Sequence, residues 1–324
     1  MRNLLAALIA SGLAIGSTAS AQVATGADPS TLFNQSSFEG PAERVALGYG
    51  RLFNNDLFGD GRDRWQTVSF TASTIVGDEW TGEMPSEMGS LIEYRFQTKI
   101  VAPGDVENPV ANDRLYSTSV SLGAHTHFAL AGGEMSVGGD LVVTGPMTGL
   151  IDLQTTIHNV INRDIPSTAT IADMIPNGVH PSLVFEYGRP LSLNGLTEVR
   201  PFAELRTGDE TLIRSGVDFY FGGVQNSDLL VRDQVTGQRY RSVRGDTLPG
   251  YGFVIGGDFA AMSNSIYLPS RGPTMIDNRT RLRAGMLWQG DQNSVYYGMT
   301  WLSKEFETQE DAQVVGSLRL NFEF

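Results

Sequence analysis

Apolar and polar residues alternate along most of this chain, and the alternation is clearest at its end. From Gln313 the run QVVGSLRLNFEF puts Val314, Leu318, Leu320, Phe322 and Phe324 on one side and Ser317, Arg319, Asn321 and Glu323 on the other. Two preceding runs behave alike. Leu282, Ala284, Met286 and Trp288 alternate with Arg281 and Arg283, while Val295, Tyr297, Met299 and Trp301 alternate with smaller or polar residues. A period of two is the signature of a strand whose faces meet different surroundings. Comparable runs near 43–54, 65–76, 90–101, 115–130, 134–144, 180–191, 196–207, 211–223, 251–261, 279–289, 294–306 and 312–324 predict an all-β chain of about twelve antiparallel strands.

One stretch breaks the pattern. In GPMTGLIDLQTTIHNVIN, residues 145–162, Leu150, Leu153, Ile157 and Val160 recur at steps of three and four, predicting a short helix near 147–162. Gly145 and Pro146 interrupt the preceding strand, Pro146 suits a first helical turn, and Asp152 lies near the positive end of the helix dipole. A helix so short and so rich in β-branched residues is marginal alone, so its apolar stripe is expected to pack on the wall or mouth of the surrounding sheet. Gln154 and His158, four apart, then project together beside that stripe.

The alternating faces fit two architectures. In a soluble sandwich the arginines would face water and the aromatics a dry core; in a membrane barrel the aromatics face lipid and the charges a polar lumen. The two ends of the chain favour the barrel. MRNLLAALIASGLAIGSTASAQ has a basic start at Arg2, an apolar run from Leu4 to Ile15, and small residues up to Ala21, so residues 1–21 read as a secretory signal peptide and 22–324 as one outer-membrane barrel. The terminal phenylalanine is the usual finish of bacterial outer-membrane barrels, and an even strand count closes such a barrel with both termini in the periplasm. No later apolar run is long enough to span as a helix. The connections 55–64, 102–114 and 145–179 then share the outer rim. Residues 224–250 are left as a long periplasmic connection where a short turn is expected, which puts the strand count there in question.

Composition narrows the chemistry. The absence of cysteine excludes disulfides, thiolate metal sites and cysteine nucleophiles, and no G-x-S-x-G elbow is present. A net charge of −13 argues against nucleic acid and against electrostatic docking on anionic headgroups; an anionic partner would need a divalent cation between. The chain is read as a monomer. Of its four histidines, His125 and His127 alternate on a strand, where a polar pair in the lumen is favoured over a metal site. His180 reads as structural or solvated, and His158 as the candidate base or a solvated loop residue. The loop FNNDLFGDGRDRWQT, residues 53–67, gathers Asn54, Asn55, Asp56, Asp60, Asp63, Arg64 and Thr67. It is either a hydrated acidic hairpin or a hard-cation site, without the spacing of an EF-hand.

Several of these pieces together carry a resemblance. NND at 54–56, DR followed closely by Thr67, AP then DR across 102–114, GP followed by Q-x-x-x-H at 154–158, and the KEFETQ to GSLRLNFEF ending resemble the outer-membrane lipid A 3′-O-deacylase family over nearly the whole of residues 22–324. The resemblance implies a twelve-stranded barrel in the outer membrane with its site between the wall and a loop helix. It implies lipid A, or lipopolysaccharide of the outer leaflet, as the substrate, with the 3′-linked acyl chain removed. His158 would then activate water with Gln154 beside it, Asn55 and Asp56 would form the site and its Ca²⁺, and Thr67 would be its hydroxyl residue. Asp113 and Arg114 would meet the substrate. The chain departs from the family where Gln66 replaces a tyrosine and where the acidic GDVENP replaces a lysine-rich stretch. An outer-membrane phospholipase, or a porin-like barrel that has lost activity, are the alternative readings.

Overall fold

A computed structural model describes residues 44–246 and 249–321. The signal-peptide reading of residues 1–21, and the terminal phenylalanine, lie outside the described residues.

The alternating runs form a closed antiparallel barrel of 12 strands. Its first half comprises β1 (Val45–Asn55), β2 (Trp65–Gly77), β3 (Ile92–Ala102), β4 (Ser117–Leu130), β5 (Gly133–Thr144) and β6 (Gly178–Gly188). A short strand, β7 (Leu191–Asn194), folds onto β8 (Thr197–Thr207), which begins the second half and is followed by β9 (Glu210–Phe221). Two short strands, β10 (Leu229–Arg232) and β11 (Arg239–Val243), pair only with each other, and the wall resumes with β12 (Gly250–Ser265), β13 (Asn278–Gln289), β14 (Ser294–Leu302) and β15 (Gln313–Asn321). Neighbours in sequence are neighbours in the wall, β1 pairs with β15, and β6 closes onto β8.

Burial follows the pleat. On β2 every second residue, from Thr67 through Ser69, Thr71 and Ser73, is buried and polar, whereas Leu122, Ile255 and Leu282 on other strands stand exposed on the outside. Polar inside and apolar outside is the arrangement of an outer-membrane barrel, with lipid as the outer solvent.

The long connection between β9 and β12 does not hang below the barrel. It enters the lumen as the β10–β11 hairpin, so the twelve-strand count stands and the expected periplasmic loop is an internal plug. Two forces hold it there. Leu229, Val231 and Val243 join Leu52, Ile75, Leu91 and Tyr296 in an apolar cluster, and the hairpin's polar residues pair with inward groups of the wall. Arg232 donates to Glu186 and Asp218, and Asp233 accepts from Asn54 at 3.1 Å and Thr71 at 3.0 Å. Gly48 of β1 makes room for it, since a Cβ there would fall 2.3 Å from the carbonyl oxygen of Ser242. His125 and His127 face the same lumen, against Asp140 at 3.0 Å and Glu93 at 2.8 Å. His180 lies 3.3 Å from the Thr144 hydroxyl.

At the opposite rim the loops knit together. Ser167 N donates to Val106 O, Ile175 N to Tyr116 O, and Thr308 Oγ1 to Asn112 O, tying the β3–β4, β5–β6 and β14–β15 connections to one another. Within the β5–β6 connection a 3-10 turn (Pro146–Thr148) leads into α1 (Leu150–Ile161), and α2 (Thr168–Ala172) follows.

The helix is where it was expected, but the face it buries is not. Leu150, Gln154 and His158 are buried, while Leu153, Ile157 and Val160 are 51%, 42% and 75% exposed. Only Leu150, with Ile151 behind it, packs on the wall, against Ile100, Tyr116, Val68 and Val120. Three of the four residues of the expected stripe are therefore left uncovered by protein.

Candidate functional site

The buried edge of α1 places Gln154 and His158 against Tyr116 at the start of β4. Tyr116 Oη donates to Gln154 Oε1. That fixes the amide so that its nitrogen, 3.4 Å away, points at His158 Nε2. The other ring nitrogen, Nδ1, lies 2.5 Å from the carbonyl oxygen of Asp164. A carbonyl can only accept, so Nδ1 carries the proton and Nε2 presents a lone pair. The ring is thereby held in the tautomer that a general base requires. Burial, then the nearby charge of Asp63, pushes the Tyr116 hydroxyl above its ordinary range and keeps it a donor.

Asp63 completes this end of the site. Its Oδ2 is 3.5 Å from His158 Nε2, and its Oδ1 is buried with no hydrogen-bond partner. Burial raises the Asp63 carboxyl, with His158 and Arg163 pulling in the other direction. Sequence reading included Asp63 in the acidic loop without a role, and it passed over Tyr116. Nothing local marks a tyrosine 38 residues before its partner.

The first outer loop supplies the second half. Asn55 ends β1 and caps the 3-10 turn Asp56–Phe58 by accepting from Leu57 N at 2.7 Å. Asp56 is 1% exposed and its Oδ2 accepts from Arg64 N at 2.8 Å, closing the loop. Gln313 of β15 holds the same corner, donating to Arg64 O at 2.6 Å and accepting from Gln66 N at 3.0 Å. Burial drives the Asp56 carboxyl up to about 8, against the lowering effect of the Arg64 amide and with further elevation from Asp63 and Asp60.

β2 then starts irregularly. Trp65 has a φ of 52°, in the left-handed region, and the β2–β3 register shifts between Trp65 and Val68. A bulky residue held there is strained, and such strain collects at functional sites. Around it cluster buried polar atoms without partners: Asp63 Oδ1, Trp65 Nε1, Gln66 Oε1 and the Thr67 hydroxyl.

The loop residues of 102–114 divide. Asp113 shapes its own loop, accepting from Gly104 N at 2.6 Å and Arg114 N at 2.7 Å. Arg114 is buried and ion-paired with Glu305, which also accepts from Gln66. Burial alone would raise the Glu305 carboxyl, but the guanidinium groups of Arg279 and Arg114 hold it below its usual range. Of the residues anticipated, His158 and Gln154 meet directly, and Asp56 shares their electrostatic field through Asp63. Asn55 is engaged as a cap, Thr67 is buried beside the bulge, and Asp113 and Arg114 serve the rim.

A hard divalent cation is tested by these oxygens. Among the described residues no three carboxylate or imidazole side chains converge as a ready cage. Asp63 nonetheless disfavours ionisation of Asp56, and Asp63 keeps an oxygen unpartnered. Two carboxylates in that state, in a loop rich in carbonyls, fit a cation that takes oxygen ligands in flexible geometry. Two small cavities lie in the lumen, and neither is lined by Asp56, Gln154 or His158. The candidate site is outside both, between α1 and the wall.

No family model matches the chain, and no curated protein matches it. Among solved structures, LpxR from Salmonella typhimurium superposes with a TM-score of 0.71 at 15% identity, over 86% of this chain and 100% of that one. The NanC porin, at TM-score 0.38 and 8% identity, and the β domain of the Bordetella autotransporter BrkA, at 0.37 and 12%, also match over 86% of this chain and 100% of theirs. The chain thus has the fold of outer-membrane barrels, and with LpxR it shares that fold over the whole of the solved chain.

Proposed function

We propose that this protein is an outer-membrane ester hydrolase acting on the acyl chains of lipid A, with His158 as general base. The observation that carries the reading is the chain Tyr116–Gln154–His158, held on the lipid side of the barrel wall with His158 Nε2 unprotonated and turned toward the Gln154 amide. The resemblance in motifs to lipid A 3′-O-deacylases, and the likeness in fold to LpxR, support the same choice of substrate.

In this mechanism a water beside Nε2 gives its proton to His158 as its oxygen bonds to the ester carbonyl carbon. The imidazolium that forms faces the Asp63 carboxylate 3.5 Å away, and the developing pair is stabilised in a partly buried setting. Gln154 orients the water through its amide, which Tyr116 keeps from flipping. The C–O bond to the sugar then breaks, and His158 returns the proton to the leaving alkoxide, freeing a fatty acid. The carbonyl oxygen gains negative charge as the water adds. A divalent cation held by Asp56 and Asp63 would supply positive charge to that oxygen as it becomes an oxyanion.

Replacing His158 by Ala is expected to lower turnover by about 10²-fold or more with the barrel intact. Mass spectrometry of lipid A and of glycerophospholipids incubated with each protein checks this. A mass loss confined to glycerophospholipids would make the protein a phospholipase, and unchanged activity of His158→Ala would remove His158 from the mechanism. The luminal hairpin weighs against a porin-like reading, because it occupies the path a pore would need.

A further inference from the structure

α1 carries three distinct faces. At about 100° per residue, Leu150, Gln154 and His158 fall on one side, which the wall covers. Asp152, Thr156 and Asn159 fall roughly opposite and are exposed, as expected of a face turned to water. Leu153, Ile157 and Val160 form a third stripe, at about a right angle to the buried one, and it is exposed too. A helix on a water-exposed loop has no reason to keep an apolar flank open. A helix lying along a membrane boundary needs a polar face and an apolar face, both unpartnered by protein.

The barrel's lipid-facing surface runs up to this flank. α1 covers Val120 on the outside of β4, and the next outward residue on that strand, Leu122, is exposed and apolar. Two residues of strand are about 7 Å, so the helix sits at the upper edge of the apolar band. Electrostatics do not supply an alternative anchor, since the chain carries a net charge of −13 and the segment has no basic cluster.

We propose that α1 is an interfacial helix whose Leu153–Ile157–Val160 flank is inserted among the acyl chains of the outer leaflet. The buried edge with Gln154 and His158 then rides at the depth where acyl chains join their headgroups. The inference rests on the barrel spanning a membrane and not on the hydrolase reading.

The chain has no cysteine, so single-cysteine variants can carry a polarity-sensitive fluorophore without background. Labels at 153, 157 and 160, at 156 and 159 on the polar face, and at 122 on the wall are compared in phosphatidylcholine vesicles. The vesicles carry a nitroxide near the headgroup end of the acyl chain, and iodide serves as the aqueous quencher. Heat-modifiable migration selects the folded variants. The expected result is blue-shifted emission quenched by the lipid nitroxide at 153, 157, 160 and 122, with quenching by iodide at 156 and 159. Iodide quenching at 153, 157 and 160 equal to that at 156 and 159 would overturn the proposal. So would an aqueous signal at 122, which would remove the barrel from the membrane altogether. No hydrolysis is needed for the readout, so failure of the interfacial helix and failure of the hydrolase are distinguishable.

Discussion

Asp56 holds the most unusual proton at the rim. Its carboxyl is raised to about 8, so at neutral pH the folded protein keeps it mostly neutral. The sign follows from linkage: the folded state binds this proton more tightly than the unfolded one, whose carboxyl has the ordinary value of 3.8. Stability from this group is therefore full below 3.8 and is lost as pH rises through about 8. A cation that needs the carboxylate must displace the proton. Ca²⁺ affinity is expected to rise about tenfold per pH unit up to about pH 8 and to level off above it, with proton release on binding that calorimetry in buffers of different ionisation enthalpy detects. Asp56→Asn should weaken binding and flatten the profile; wild-type affinity that is constant between roughly pH 6 and pH 9 would exclude Asp56 as a ligand. Tyr116 offers a separate check. Tyr116→Phe removes one buried hydrogen bond, of about 1 to 1.5 kcal/mol, and frees the Gln154 amide to flip, so kcat should fall by about tenfold with little change in KM.

At the scale of elements, the strands were legible because a wall between lipid and a polar lumen forces a period of two on every strand. Gln154 and His158 were legible as a pair because a helix puts i and i+4 on one edge. The face α1 buries was not legible, since amphipathicity does not say whether an apolar stripe meets protein or lipid. The plug was not legible either, because its bonds are long-range: Asp233 is 179 residues from Asn54 and 162 from Thr71. Tyr116 escaped notice, and Asp63 was named in the acidic loop without a role, for the same reason, their partners lying on another element. Asp233 is the plug's main tie to β1 and β2, and it also accepts from Thr236 N at 2.8 Å and Thr236 Oγ1 at 2.7 Å within the hairpin. Asp233→Ala leaves three buried donors unsatisfied, Thr71 Oγ1, Thr236 N and Thr236 Oγ1, at a cost of about 1 to 3 kcal/mol each before relaxation, while Asn54 keeps its bond to Ser69. The expected outcomes are a lower midpoint of thermal unfolding and a conductance in planar bilayers that the parent protein lacks. A parent protein that already conducts would show that the hairpin does not seal the lumen.

At the scale of the whole molecule, closure and filling act together. With β6 on β8 and β1 on β15 every strand of the wall has a neighbour on both sides, so no strand is left as an open edge in lipid. The lumen adds a second layer of order. Asp218 holds Arg283 and Arg232, Asp258 holds Arg281 and Arg214, and Glu186 holds Arg200 and Arg232, so each carboxylate bridges guanidinium groups from different strands or from the hairpin. Such pairs contribute little net stability against an apolar core, but removing one partner strands the other in a desolvated setting. Local opening is therefore costly, and unfolding must pass through loss of many pairs at once. This argues for a barrel that stays closed in sodium dodecyl sulfate until heated. Unheated protein is expected to migrate faster than the unfolded chain, and boiling should shift it to the unfolded position. Asp218→Ala, which removes one of the two carboxylates that hold each of Arg283 and Arg232, should lower the temperature of that shift while leaving the unfolded position unchanged. Recovery of the protein in a soluble fraction, with no difference between heated and unheated samples, would contradict the closed membrane barrel on which the placement of α1 and His158 depends.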